Sequence, residues 1–146
     1  MRAALATVVL LISAVLAPAT ARADTQYGIF HLVIEGRYDF HTWMWSLSRC
    51  KGDIPECLRV TAIPQPIAKA FSYRGDAALV DGQWVLSVDV PDGLRCGDVY
   101  FGPVVATRDV YTWDPVTRAG WLESSFAAGC DGRPGTLRYP FSLARL

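Results

Sequence analysis

The residues of this chain that could do acid–base chemistry are two histidines, His31 and His41, and a few carboxylates. A serine hydrolase needs a histidine within hydrogen-bond reach of its nucleophile, and the chain has no Gly-x-Ser-x-Gly sequence to present such a serine. Carboxylates near strand-like runs could form the pair that a glycoside hydrolase uses, and they are Glu35, Asp39, Asp98, Asp109 and Glu123. Packed histidines and solvated strand faces explain these patterns better. The sequence therefore predicts a protein that is not an enzyme.

The four cysteines, Cys50, Cys57, Cys96 and Cys130, carry a second kind of chemistry. Zinc sites and redox-active thiols use close pairs such as Cys-x-x-Cys, which the chain lacks, and we predict neither a metal nor a cofactor. Gly, Asp and Pro separate the first two cysteines between strand-like runs, so the ends of this segment should meet across a hairpin. Of three possible pairings, this favours Cys50–Cys57 and, by elimination, Cys96–Cys130.

Aromatic residues are the feature that most suggests a ligand. The candidate pocket residues are His41, Trp43, Trp45, Tyr111 and Trp113. The first three alternate onto one face of a predicted strand whose other face is also apolar, which indicates a covering segment, a partner or a pocket. Packing in the core is the better account of the same residues, because small β domains often fill space with Trp. The pocket hypothesis implies a small apolar or sugar-like ligand.

Strands must position these residues, because apolar residues recur with period two from Tyr27 onward and no long stretch shows helical spacing. The clearest unit is a hairpin at Asp81-Gly82, a pair that accepts the positive φ of a type I′ turn and places Leu79 opposite Trp84. The core residues predicted from this hairpin are Trp84, Leu86, Val88 and Val90.

About eight strands are predicted, at residues 27–35, 37–49, 57–63, 77–80, 83–90, 104–113, 121–128 and 136–143. Short turns join most of them, and this order predicts an all-β antiparallel meander that forms a small barrel or a two-sheet sandwich. Pro91-Asp92-Gly93 is expected to end the fifth strand. Pro140 cannot donate to a ladder, and it favours an edge position or bulge and hence incomplete closure.

The N-terminus has the order of a secretory signal peptide: Arg2, an apolar run over residues 3–16, and small residues around Ala23. The apolar run is shorter than the roughly 20 residues that span a bilayer. We expect cleavage after Ala23, with Ala19 as the second site, which divides the chain into a signal peptide, 1–23, and a single all-β domain, 24–146. The expected product is secreted or held at the cell envelope, without stable membrane insertion.

Charge and composition exclude some classes of partner and of protein. Removing Arg2 and Arg22 with the leader takes the basic count from 14 to 12 against 14 acidic residues, so the mature net charge is about −2. Nucleic-acid binding needs a clustered excess of Lys and Arg, which this balance does not supply. With 51% hydrophobic and 19% charged residues, the chain is also too apolar to be disordered.

Short motifs run through the chain from residue 35 to its end: Gly36-Arg37-Tyr38, Trp45 before Cys50 and Cys57, Gly82-Gln83-Trp84, Cys96-Gly97, Tyr111-Thr112-Trp113-Asp114-Pro115, Gly120, Gly129-Cys130-Asp131-Gly132 and Tyr139-Pro140-Phe141-Ser142-Leu143. In this order the chain resembles a group of small exported, disulfide-containing β proteins of mycobacteria and related actinobacteria, mostly of unknown function. Similar sequences occur as the extracellular part of some actinobacterial serine/threonine kinases. The chain differs in its longer insert between Cys50 and Cys57. The resemblance implies export and a β fold, and it assigns no functional residue.

Three functional hypotheses follow from the sequence. The first is a secreted or cell-envelope, disulfide-stabilised β domain that acts as a non-catalytic binding module. The second is a structural or host-interaction protein without a ligand pocket, which presents its surface to an envelope component. The third is a hydrolase that uses carboxylates on strand faces.

Overall fold

The computed structural model describes residues 26–37, 43–52, 54–64, 72–98 and 102–146, and within them the protein is all-β. Its eight strands are β1 (Gly28–Ile34), β2 (Trp43–Arg49), β3 (Cys57–Pro64), β4 (Tyr73–Val80), β5 (Gln83–Arg95), β6 (Val104–Trp113), β7 (Ala119–Phe126) and β8 (Gly135–Arg145). A short 3-10 turn, Cys96–Asp98, follows β5. No helix in this described part has the length and apolarity that crossing a bilayer requires.

The strands form a closed barrel, which decides between the two predicted architectures. Each strand pairs antiparallel with the next in sequence, and β1 also pairs with β8, from Phe30 opposite Arg145 to Ile34 opposite Phe141. Such a meander needs only local connections. The ladder between β4 and β5 is the shortest of the barrel, with Ala78–Val80 of β4 opposite Gln83–Val85 of β5.

The expectation that Pro140 marks incomplete closure is wrong. Pro140 lies within β8 opposite Trp121 of β7, and its carbonyl accepts a hydrogen bond from the Glu35 amide at 3.0 Å. The last pairing between β1 and β8 is Ile34 with Phe141. The N–H that proline lacks would have pointed at β1 just beyond that last pairing, so the ladder loses little and the barrel still closes.

The expectation that Pro91-Asp92-Gly93 ends the fifth strand is also wrong. β5 continues to Arg95, and its register with β6 shifts between Val90 and Leu94, which makes these residues a β-bulge. A bulge leaves backbone groups outside the ladder, and so it tolerates the missing N–H of Pro91. Gly93 is required here, because a Cβ at this position would lie 1.7 Å from Oγ1 of Thr107.

The β4–β5 hairpin is confirmed. Asp81 and Gly82 have φ values of 50° and 79°, as a type I′ turn requires, and Leu79 pairs with Trp84. The four core residues predicted from this hairpin, Trp84, Leu86, Val88 and Val90, are all buried. Turn chemistry and apolar alternation therefore specified the same register.

The two ends of the barrel differ in their connections. One end, called the turn end, carries the connections 50–56, 81–82 and 114–118. The other, called the loop end, carries the longer connections 35–42, 65–72, 96–103 and 127–134. Both predicted disulfides are present: Cys50–Cys57 lies at the turn end, and Cys96–Cys130 joins two connections at the loop end. The connections at the turn end have two to seven residues, and those at the loop end have eight residues each.

Candidate functional site

The interior becomes polar toward the loop end. Among the described residues, the buried polar or charged side chains are Asp92, Thr107, Asp109 and Ser124. Asp92 belongs to the β5 bulge, and the other three point inward from β6 and β7, with Thr107 and Ser124 in the loop-end halves of these strands and Asp109 at the middle of β6. We call Thr107, Asp109, Ser124 and the neighbouring Arg37 the polar cluster. Burying these groups costs free energy unless partners satisfy them, so their hydrogen bonds decide what the cluster can do.

Asp109 is the centre of the polar cluster, with a side chain only 1% exposed. Its Oδ1 accepts hydrogen bonds from the Thr107 hydroxyl at 2.6 Å and the Ser124 hydroxyl at 2.7 Å. Its Oδ2 has no hydrogen-bond donor within the described ranges, and Nη1 of Arg37 lies 3.7 Å away. One oxygen of a buried carboxylate is therefore fully used, while the other has a charge partner but no donor at hydrogen-bond distance.

Arg37 lies three residues after the last residue of β1, and its side chain is 11% exposed. Its Nη2 donates a hydrogen bond to the carbonyl of Gly93, in the β5 bulge. The bulge thus turns a backbone acceptor toward the guanidinium, which helps to hold Arg37 beside Asp109. A planar guanidinium can bind several acceptors at once, so Arg37 can hold this carbonyl and face the carboxylate together.

A chain of hydrogen bonds runs through the interior next to the polar cluster. The indole N–H of Trp45 donates to the Tyr73 hydroxyl at 3.0 Å, and that hydroxyl donates to the Tyr111 hydroxyl at 3.2 Å. Burial raises the pKa of both tyrosines well above the ordinary value of 10.0, and the nearby Asp109 carboxylate raises it further while Arg37 lowers it. These shifts favour the protonated form of both hydroxyls in the folded barrel.

These raised pKa values predict a loss of stability at alkaline pH. A group whose pKa is higher in the folded than in the unfolded state contributes stability below its unfolded pKa and loses it as the pH rises toward the folded value. We expect stability to decline above about pH 10, with Tyr73 and Tyr111 ionising only when the barrel unfolds. Tyrosinate absorbance and circular dichroism, recorded together from pH 9 to 13, test this.

In that titration the native protein should show two fewer tyrosinates than the denatured chain until the circular dichroism changes. Tyr73→Phe and Tyr111→Phe should each reduce this difference by one. Ionisation of all six tyrosines while the circular dichroism stays native would contradict the prediction.

Three of the five predicted pocket residues lie together in the interior. Trp45, Tyr111 and Trp113 are buried, and the ring of Trp45 lies 4.9 Å from that of Tyr111 and 5.8 Å from that of Trp113, measured between centroids. Phe141 packs against all three. The side chain of Trp43, in β2, and all of His41 lie outside the described residues. A ligand-lining role for this set stays a prediction.

The predicted carboxylates separate into three places. Asp109 points into the barrel, whereas Glu35 and Glu123 line one groove on its outer face. Asp98 lies in the 3-10 turn, and Asp39 is outside the described residues. From the sequence, Asp109 was predicted only as one of the carboxylates that could serve a hydrolase. Its position two residues from Tyr111, on the same strand face, was the signal that it points inward.

Arg37, Thr107 and Ser124 were not predicted as site residues. Thr107 shares the alternation of Asp109 and Tyr111 and could have been found from it. Arg37 and Ser124 gave no signal, because they meet Asp109 only through the closure of the barrel.

One group of side chains within the described residues has the spacing of a metal site, namely Cys50, Cys57 and Asp76. The two sulfurs are bonded to each other, so neither is a thiolate that could bind a metal. Asp76 instead forms a two-point ion pair with Arg59, with both N–O distances at 2.6 Å. This ion pair lowers the pKa of Asp76.

Comparison of the chain with protein families, with curated proteins and with solved structures yields no match.

Proposed function

We propose that this protein is an exported, non-catalytic binding module that takes a small polar ligand at the loop end of its barrel. The observation that carries the proposal is Oδ2 of Asp109, a buried carboxylate oxygen without a hydrogen-bond donor among the described residues. A ligand hydroxyl, amide or ammonium group would supply that donor. Hydrogen bonds to a buried charged group are among the stronger ones, so such a contact would contribute both affinity and selectivity.

The size of the barrel supports a ligand at this end. An eight-stranded barrel is just wide enough to be filled by side chains or to hold one small ligand. The middle of this barrel is filled by Trp45, Tyr111 and Phe141, whose rings contact one another. On β6, Thr107 and Asp109 lie nearer to the loop end than Tyr111 does, and loops carried on a rigid scaffold are where binding residues concentrate.

The disulfides support export. Two disulfides indicate an oxidising, extracellular type of environment. We extend this to a signal peptide at residues 1–23, cleaved after Ala23 or Ala19, and to the cell envelope or culture fluid of an actinobacterium, as the resemblance implies. Intact-mass measurement of the protein recovered from the natural host's medium tests this extension. A mass that includes residues 1–23, with reduced cysteines, would contradict it.

The ligand proposal is tested by titration with donor-bearing probes. Folded protein is titrated with ethanolamine, glycerol, myo-inositol, glucose and amino-acid amides, while amide NMR shifts are followed. At least one probe should saturate, with the largest shifts at Thr107, Asp109 and Ser124. In Asp109→Asn the affinity should fall about tenfold or more, because the carboxylate charge is lost.

Asp89→Asn is the matched control. Asp89 is exposed on the outer face of β5 and pairs with Arg108 at 3.2 Å, so its substitution removes the same charge outside the barrel. This variant should bind as the unmodified protein does. The proposal fails if no probe saturates, or if Asp109→Asn binds every probe as tightly as Asp89→Asn.

A further inference from the structure

A groove of about 520 Å³ crosses the outer face of the barrel over β6, β7 and β8. Thr112, Trp121 and Pro140 lie side by side on this face, in the register that pairs the three strands. Trp121 is 46% exposed, although an outward strand position needs no large apolar side chain. The polar residues that line the groove are Glu35, Gln83, Thr112, Glu123, Arg138 and Ser142.

The ring of Trp121 is held in place from one side. The guanidinium of Arg138 lies 4.3 Å from its centroid, and Nε of Arg138 lies 3.6 Å from Oε1 of Glu123. A cation above an indole is attracted to the negative face of the ring, and the carboxylate restrains that cation. Trp121 is therefore oriented before any ligand arrives, which reduces the entropy lost on binding.

We propose that this groove binds a neutral saccharide. One face of a pyranose ring carries weakly positive C–H groups that pack on the negative face of an indole, and its hydroxyls project sideways. The groove offers one exposed indole surrounded by carboxylate, amide and hydroxyl groups, which can accept hydrogen bonds from several sugar hydroxyls. An aromatic surface with a few polar groups, at this volume, is typical of small-molecule sites.

The charges of the groove favour a neutral ligand. Glu35 and Glu123 outnumber Arg138, which already lies beside Glu123. A phosphate, a sulfate or an anionic lipid headgroup would meet a net negative surface.

A proline-rich peptide is the competing class of ligand, and such peptides dock in grooves lined by several aromatic side chains. In this groove Trp121 is exposed, whereas Phe141, the other aromatic residue of the lining, is buried. The groove therefore offers one aromatic surface and not several, which favours a saccharide over such a peptide.

This groove is separate from the site at the loop end. Thr112 and Trp121 point outward, while Tyr111 and Trp113, on either side of Thr112, point into the barrel. A saccharide in the groove would therefore leave Asp109 untouched, and the two proposals can fail independently.

The experiment titrates the folded protein with neutral trisaccharides of glucose, galactose, mannose and N-acetylglucosamine. Tryptophan fluorescence and amide NMR shifts report binding. At least one trisaccharide should saturate with shifts centred on Thr112, Trp121 and Glu123. Trp121→Ala should weaken this binding at least tenfold, whereas Asp109→Asn should leave it unchanged.

Val80→Ala is the control, because Val80 is similarly exposed on a strand but does not line the groove. It should bind the saccharide as the unmodified protein does, and circular dichroism checks that each variant is folded. The proposal is overturned if no neutral trisaccharide saturates, or if Trp121→Ala binds as well as Val80→Ala. It is also overturned if a sulfated trisaccharide or a decaproline peptide binds in the groove more tightly than every neutral trisaccharide.

Discussion

Trp45→Ala should destabilise the barrel by about 3–5 kcal/mol, which is a large part of the roughly 5–15 kcal/mol by which a domain is stable. Trp45 is 0% exposed, and its ring lies 4.9 Å from Tyr111 and 6.1 Å from Phe141, measured between centroids. The substitution leaves a cavity among these rings and removes the indole N–H that donates to Tyr73. Urea denaturation followed by far-UV circular dichroism measures the loss.

Trp121→Ala makes the same chemical change on the outer face of the barrel. Because Trp121 is 46% exposed, we expect this variant to lose only about 1 kcal/mol. Trp45→Phe should fall between the two, since it keeps a ring in the core but loses the donor to Tyr73. Equal urea midpoints for Trp45→Ala and Trp121→Ala would show that the interior is not packed around Trp45.

Removing the Cys96–Cys130 bridge should cost about 4 kcal/mol, and removing the Cys50–Cys57 bridge about 2.5 kcal/mol, on the chain-entropy estimate. The two bridges close segments with sequence separations of 34 and 7 residues. A longer crosslinked segment restricts the unfolded chain more, so its bridge stabilises the folded state more. The paired serine variants Cys96→Ser/Cys130→Ser and Cys50→Ser/Cys57→Ser test this, compared by urea denaturation at fixed temperature.

Each pair of serine variants is the control for the other, because both remove one bridge and add two hydroxyls. A larger loss for the short bridge would contradict the prediction and would show that native contacts around the disulfides outweigh chain entropy. Because Cys96–Cys130 joins two connections at the loop end, its removal should also increase amide hydrogen exchange in those connections. The exchange at the β4–β5 hairpin should stay slow, since its turn and core contacts are unchanged.

Much of the fold follows from short-range patterns. Alternation between apolar and polar residues predicted all eight strands, and β6, Val104–Trp113, has the predicted bounds. Asp81-Gly82 specified its hairpin because the two residues accept positive φ without help from distant contacts. The turn between Cys50 and Cys57 likewise brought its own cysteines together, which left one pairing for Cys96 and Cys130.

The expectations for two prolines were wrong, because the effect of a proline on a sheet depends on the neighbouring strand. Pro91 did not end β5, because the strand continues through a bulge that Gly93 makes sterically possible against Thr107. Pro140 did not leave an edge, because its missing N–H falls where β1 has already ended. In both cases the consequence of a missing donor depends on whether a neighbouring strand presents an acceptor there.

The strands, their inward faces and the Cys50–Cys57 pairing were encoded locally, in residues that are neighbours or lie across one turn, and the Cys96–Cys130 pairing followed by elimination. Barrel closure and the two candidate sites were not, because they bring together residues from distant strands. Arg37 and Asp109 lie 3.7 Å apart although β2, β3, β4 and β5 separate them in sequence. Glu35 and Arg138 likewise line one groove only because β1 pairs with β8. Period-two alternation indicates which way a side chain points. Its contacts with residues of distant strands are decided only when the barrel is packed.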